Sequence, residues 1–102
     1  MIKTILQEGF VLKSKGYYKH AIEAFYKALE LDSTSAELLL EIAELYYLMG
    51  DEERALSYIE SILDKNPTHI ETLVLLKNIF INKKFLLFLL SKTALFIIFS
   101  AS

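Results

Sequence analysis

The segment HAIEAFYKALEL, residues 20–31, carries apolar side chains at 21, 22, 25, 28 and 29, with Glu23, Lys27 and Glu30 outside that set. Such spacing puts the apolar positions on one broad face of an α-helix, and a face of that kind has to be buried. Ala21 and Ala28 lie two turns apart on the same side, where small residues let a neighbouring helix approach closely. The same periodicity, interrupted at Gly16 and Gly50 and before Pro67, predicts helices over about 2–14, 17–31, 36–49, 52–65 and 69–82.

Shifted by 34 residues, the chain falls on itself. Gly16 meets Gly50, Ala21 meets Ala55, Phe25 meets Ile59, Leu29 meets Leu63 and Asp32 meets Asn66; upstream, Ile5 meets Leu39 and Gly9 meets Ala43. A period of 34 residues with helical spacing inside it indicates a solenoid of helix pairs. Gly16 and Gly50 are expected to end the first helix of each pair, where the chain needs a left-handed residue to turn tightly. Thr34-x-x-Glu37 and Thr68-x-x-Glu71 both read as capping boxes that start a first helix, and Pro67 stands just before the second of them.

These positions resemble the tetratricopeptide repeat family, whose pattern runs through a large apolar residue, a small one four further on, Gly-x-Tyr or Gly-Asp, Ala-x-x-x-Phe, a second small residue and a closing Pro. The first repeat supplies Ile5, Gly9, Gly16, Ala21, Phe25 and Ala28; the second supplies Leu39, Ala43, Tyr46, Gly50, Ala55, Ile59 and Pro67. The expected fold is therefore all-α, a helix-turn-helix repeat solenoid of about two and a half to three repeats: residues 2–35, residues 36–69, and a degenerate third repeat over 70–102 with a very apolar C-terminal helix. The resemblance implies a scaffold or adaptor, in which the first helices of successive pairs line a concave groove for a partner peptide or helix. Carried onto this chain residue by residue, the groove positions are Leu6, Phe10, Lys13, Leu40, Glu41, Glu44, Tyr47, Val74, Asn78 and Ile81. Phe10 and Tyr47 are the expected anchors. Some members of the family grip a partner's terminal carboxylate with a Lys/Asn/Arg clamp. The clamp positions here hold Leu6, Phe10, Glu41, Glu71 and Leu75, which argues against that mode and for an apolar and basic partner segment.

Composition and charge narrow the function further. The net charge of −2 divides into −5 over residues 1–82, where all thirteen acids lie, and +3 over 83–102, which holds Lys83, Lys84, Lys92 and no acid. An acidic body repels a phosphate backbone, so nucleic acid is not an expected partner. There is no cysteine, hence no thiol nucleophile and no thiolate metal site. His20 and His69 have no second ligand at metal-binding spacing, and Glu37, Glu41 and Glu44 form an acidic row without a Glu-x-x-His motif. No Gly-rich phosphate loop or nucleophile motif is present. Neither an enzyme nor a cofactor is expected. The N-terminal apolar run is cut short by Gln7 and Glu8, too early for a secretory signal, and the expected location is cytoplasmic.

Residues 85–102, FLLFLLSKTALFIIFSAS, are apolar almost all round. One reading makes them the second helix of the third repeat, their outer face covered by a second copy of the chain in a homodimer or by another partner. An alternative makes them a C-terminal anchor of a membrane-tethered scaffold, with Lys83 and Lys84 on the cytoplasmic side: eighteen residues span roughly 27 Å against a hydrocarbon core of about 30 Å. Lys92 near the middle costs such an anchor about 2.5–3.5 kcal/mol. A third reading takes the abrupt change at Lys83 as a truncated or altered terminus.

Overall fold

A computed structural model of the protein describes residues 2–32, 35–83 and 100, and among these it contains helices and no strand. The helices are α1 (Ile2–Ser14), α2 (Tyr18–Leu31), α3 (Ala36–Leu48) and α4 (Glu52–Lys65), followed by a fifth, α5, which occupies 70–83. The first four start and stop, and the fifth starts, within a residue of the bounds that hydrophobic periodicity predicts. Neighbours in sequence are neighbours in space: α1 packs on α2, α2 on α3 and α3 on α4. This is the helix-pair solenoid expected from the repeat.

The turns inside the two complete pairs are copies of one another. Gly16 and Gly50 have φ of 83° and 85°, and a Cβ at either position would meet nothing within 4 Å, so backbone conformation alone demands glycine there. In the first turn the amide of Gly16 donates to the carbonyl of Lys13 and that of Tyr17 to Leu12; in the second, Gly50 donates to Tyr47 and Asp51 to Tyr46. Each is a Schellman closure that satisfies the last carbonyls of a first helix.

The caps correct the sequence reading by one residue. Ser35 caps α3, its hydroxyl accepting from the amide of Leu38 at 3.3 Å, while Thr34 lies outside the described residues. Before α5 the Thr68 hydroxyl bonds the Asn66 side chain, and His69 takes the capping place, its carbonyl accepting from Leu73 and its Nδ1 lying 2.8 Å from Thr72 Oγ1. That contact satisfies the hydroxyl of Thr72, which is fully buried. Asp51 caps α4 through the Arg54 amide, and α2 starts at Tyr17 without a side-chain cap.

Two apolar clusters run along the solenoid. The first joins Ala21, Ile22, Phe25 and Ala28 of α2 to Leu38, Ile42 and Leu45 of α3, with Ile2, Ile5, Leu6 and Leu12 of α1 packed against it. The second joins Ala43 of α3, Ile59 of α4 and Ile79 of α5. Ala21, Ala28 and Ala55 are wholly buried, as expected of small residues at helix crossings. Between the clusters, at the junction of α2, α3 and α4, the Tyr26 hydroxyl is hydrogen-bonded to those of Tyr46 and Tyr58; the Tyr46 and Tyr58 rings stack, and the Arg54 guanidinium covers Tyr46. Burial first, and the bonds to Tyr46 and Tyr58 next, push the Tyr26 phenol far above the usual tyrosine range.

Among the described residues no helix is long and apolar enough to cross a membrane. The packed-helix, homodimer and anchor readings of 85–102 all fall on a segment that, Ser100 apart, lies outside the described residues.

Candidate partner-binding groove

The first helices of successive pairs, α1, α3 and α5, present side chains at one repeat position after another. Residues 6, 40 and 74 share a register, as do 10, 44 and 78, and 13, 47 and 81. Two hollows open along these helices. The larger, about 540 Å³, lies between α3 and α5 and is lined by Leu40, Glu41, Glu44, Tyr47, Val74 and Asn78, with Leu48, Ile70, Glu71 and Leu75. The smaller, about 360 Å³, is lined by Ile2, Leu6 and Phe10 of α1, by Leu38, Leu40, Glu37 and Glu41 of α3, and by Asp32, Ser35 and Glu71. Leu40, Glu41 and Glu71 line both, so the hollows adjoin there.

Eight of the ten groove positions inferred from the sequence thus line one hollow or both. Lys13 lines neither but bridges them electrostatically: its Nζ lies 2.9 Å from Glu41 Oε2 and 3.0 Å from Glu44 Oε1, tying α1 to α3. Burial works against the ammonium, but the hydrogen bonds and charges of the two carboxylates outweigh it, and the Lys13 pKa is raised. Ile81 is half exposed and lines neither hollow.

The two aromatic positions differ in character. Phe10 is 47% exposed, with its ring edge-on to Phe25 at 5.2 Å between centroids. Tyr47 packs against the cluster of Ala43, Ile59 and Ile79, and its hydroxyl accepts from the Asn82 side chain. Tyr47 therefore supports the seat of α5 as well as forming groove wall, and truncating it would disturb both.

Sequence reasoning did not single out Ile2, Leu48 and Ile70. Ile2 and Ile70 occupy one repeat position two periods apart, so the 34-residue register held the signal for both. Leu48 sits at the last turn of α3, where its direction depends on how that helix is rotated, and nothing in the register marks it.

The polar lining is one-sided. Asp32, Glu37, Glu41, Glu44 and Glu71 line the hollows without a Lys or Arg. Among the described residues, no three His, Asp or Glu side chains are arranged to hold a metal ion. An apolar floor with charged groups at its edge can hold an extended or helical segment of another chain, and a carboxylate-lined groove favours a cationic one.

A family model described as tetratricopeptide repeat matches residues 13–82. Among curated proteins the chain is similar to the photosystem I assembly protein Ycf3 of Prochlorococcus marinus strain MIT 9211, with 36% identity over 64 residues, 60% of this chain and 37% of that protein. Ycf3 of a second Prochlorococcus marinus strain, SARG, and that of Synechococcus sp. strain CC9311 match over the same shares, at 33% and 34% identity. The match thus spans little more than a third of the length of these relatives.

Proposed function

The chain belongs to the tetratricopeptide repeat family, and from that premise we propose that it is a non-catalytic adaptor that holds a segment of a protein partner along α1, α3 and α5. The observation that carries this reading is the adjoining pair of hollows, about 540 and 360 Å³, whose floor includes the exposed apolar side chains of Phe10, Val74 and Ile70. Monomeric domains rarely expose contiguous apolar surface without a use for it. The role that the similar proteins are named for, assembly of photosystem I, supports a task of holding protein subunits rather than transforming a small molecule.

Selection of a random displayed-peptide library on the full chain tests the proposal. Selected peptides should lose binding to Val74→Glu and to Phe10→Glu, which put a charge into each hollow at half-exposed positions, and should retain it with Glu23→Gln on the exposed side of α2. Failure to select any peptide, or selected peptides indifferent to both groove changes, would overturn the groove as the binding site.

A further inference from the structure

We propose that the groove reads a segment in which a Lys or Arg stands between two apolar side chains, with the Glu71 carboxylate receiving the cation. The inference rests on the groove being the partner site and concerns what that site selects.

The carboxylates that line the hollows are not equivalent. Glu41 and Glu44 are already answered by Lys13 at 2.9 and 3.0 Å, so the chain supplies its own cation to both. Glu37 is 75% exposed in its side chain and faces His69 Nε2 at 3.9 Å. Glu71 is exposed, lines both hollows where they adjoin and, among the described residues, takes part in no ion pair. An unanswered charge therefore stands at the junction, with Leu6, Phe10 and Ile2 on one side and Leu48, Val74 and Leu75 on the other.

A ligand that fills both hollows must cross the junction. An apolar side chain in each hollow leaves the intervening residue beside Glu71. A partner Lys or Arg there forms a charge-assisted hydrogen bond in a site that the two flanking apolar groups shield from water, which strengthens the pair over an exposed one. An acidic residue there meets the summed field of the lining carboxylates and is rejected. Lys13 sets the extent of this preference, since by neutralising Glu41 and Glu44 it confines the reading of charge to the junction.

The same displayed-peptide selection, followed by binding of resynthesised peptides to the full chain, tests this separately from the adaptor function. Selected sequences should be enriched in Lys or Arg flanked by apolar residues. Replacing that Lys by Gln in the peptide should weaken binding about fivefold at low salt, the size expected of one partly shielded ion pair. Glu71→Gln, at an exposed position that leaves folding intact, should abolish the difference between the two peptides, and Lys13→Met should widen it by releasing two carboxylates. Selected peptides that bind through the hollows but show no basic enrichment would overturn this inference and leave the adaptor reading standing; so would a Lys/Gln difference that persists in Glu71→Gln. Selection of nothing would overturn both.

Discussion

The ring of Phe25 lies so closely over Gly9 that a Cβ built on the glycine would stand 2.9 Å from the ring's Cζ. One repeat further on the same two positions hold Ala43 and Ile59, both buried. The pairs trade volume: a flat aromatic ring requires a bare backbone beneath it, whereas a branched aliphatic chain leaves space for a methyl group.

That exchange predicts a coupled double mutant. Gly9→Ala alone gains about 1 kcal/mol of helix propensity but should lose about 1–3 kcal/mol to overpacking, leaving a net destabilisation. Phe25→Ile in the same chain reproduces the second repeat and should remove the clash, with a favourable coupling of at least about 0.5 kcal/mol in urea denaturation of the four variants. Strictly additive costs would mean that the two positions do not share space.

Gly50→Ala should destabilise by about 1 kcal/mol although the new methyl touches nothing, because a φ of 85° is unfavourable for an L side chain. Gly50→Asn should cost less, since Asn tolerates the left-handed region better. Equal effects of the two substitutions in thermal denaturation would argue against a backbone origin.

Ala55 is wholly buried in α4, so Ala55→Glu forces a carboxylate between packed helices. Destabilisation of about 3 kcal/mol or more is expected, measured by thermal or urea unfolding. An unchanged midpoint would refute the repeat register itself.

The raised pKa values fix the sign of an alkaline effect. Lys13 and Tyr26 both hold their protons more tightly folded than unfolded, so their contributions are complete below their ordinary values of 10.5 and 10.0 and fade as pH climbs through the folded ones. Thermal stability should therefore fall above about pH 10. Lys13→Met and Tyr26→Phe should each flatten that fall while lowering the plateau at neutral pH. In ultraviolet titration of the native protein one tyrosine should resist ionisation, and Tyr26→Phe should eliminate that late phase. A native chain in which Tyr26 ionises in the ordinary tyrosine range would contradict the partly buried Tyr26 network.

Much of this architecture is legible because a solenoid writes its packing into its period. Ala21 and Ala55, Gly16 and Gly50 announce themselves by recurring 34 residues apart in the setting their geometry requires. The caps are harder to read because Thr34 and Ser35, like Thr68 and His69, are adjacent residues that can each start a helix, and which one does so is decided by where the preceding loop releases the chain. The groove's list of positions follows from the register, but its charge balance does not. That Lys13 reaches across to Glu41 and Glu44 depends on the crossing of α1 with α3, and the sequence separation of 28 residues to Glu41 carries no trace of it. Nor does periodicity tell that Tyr47 divides its surface between groove and core while Ile81, at the equivalent position, stays outside both hollows.

The packing of each helix on its successor in the chain, through connections of only a few residues, also bears on how the protein acquires its structure. Contacts made between near neighbours need little chain diffusion to form, so the contact order is low and folding belongs on the microsecond to millisecond scale. Nothing obliges one end to wait for the other: a nucleus at the Phe25 cluster can grow outward pair by pair. The corollary is a gradient of amide protection along the described helices, deepest in α2, α3 and α4, each of which packs against a helix on either side.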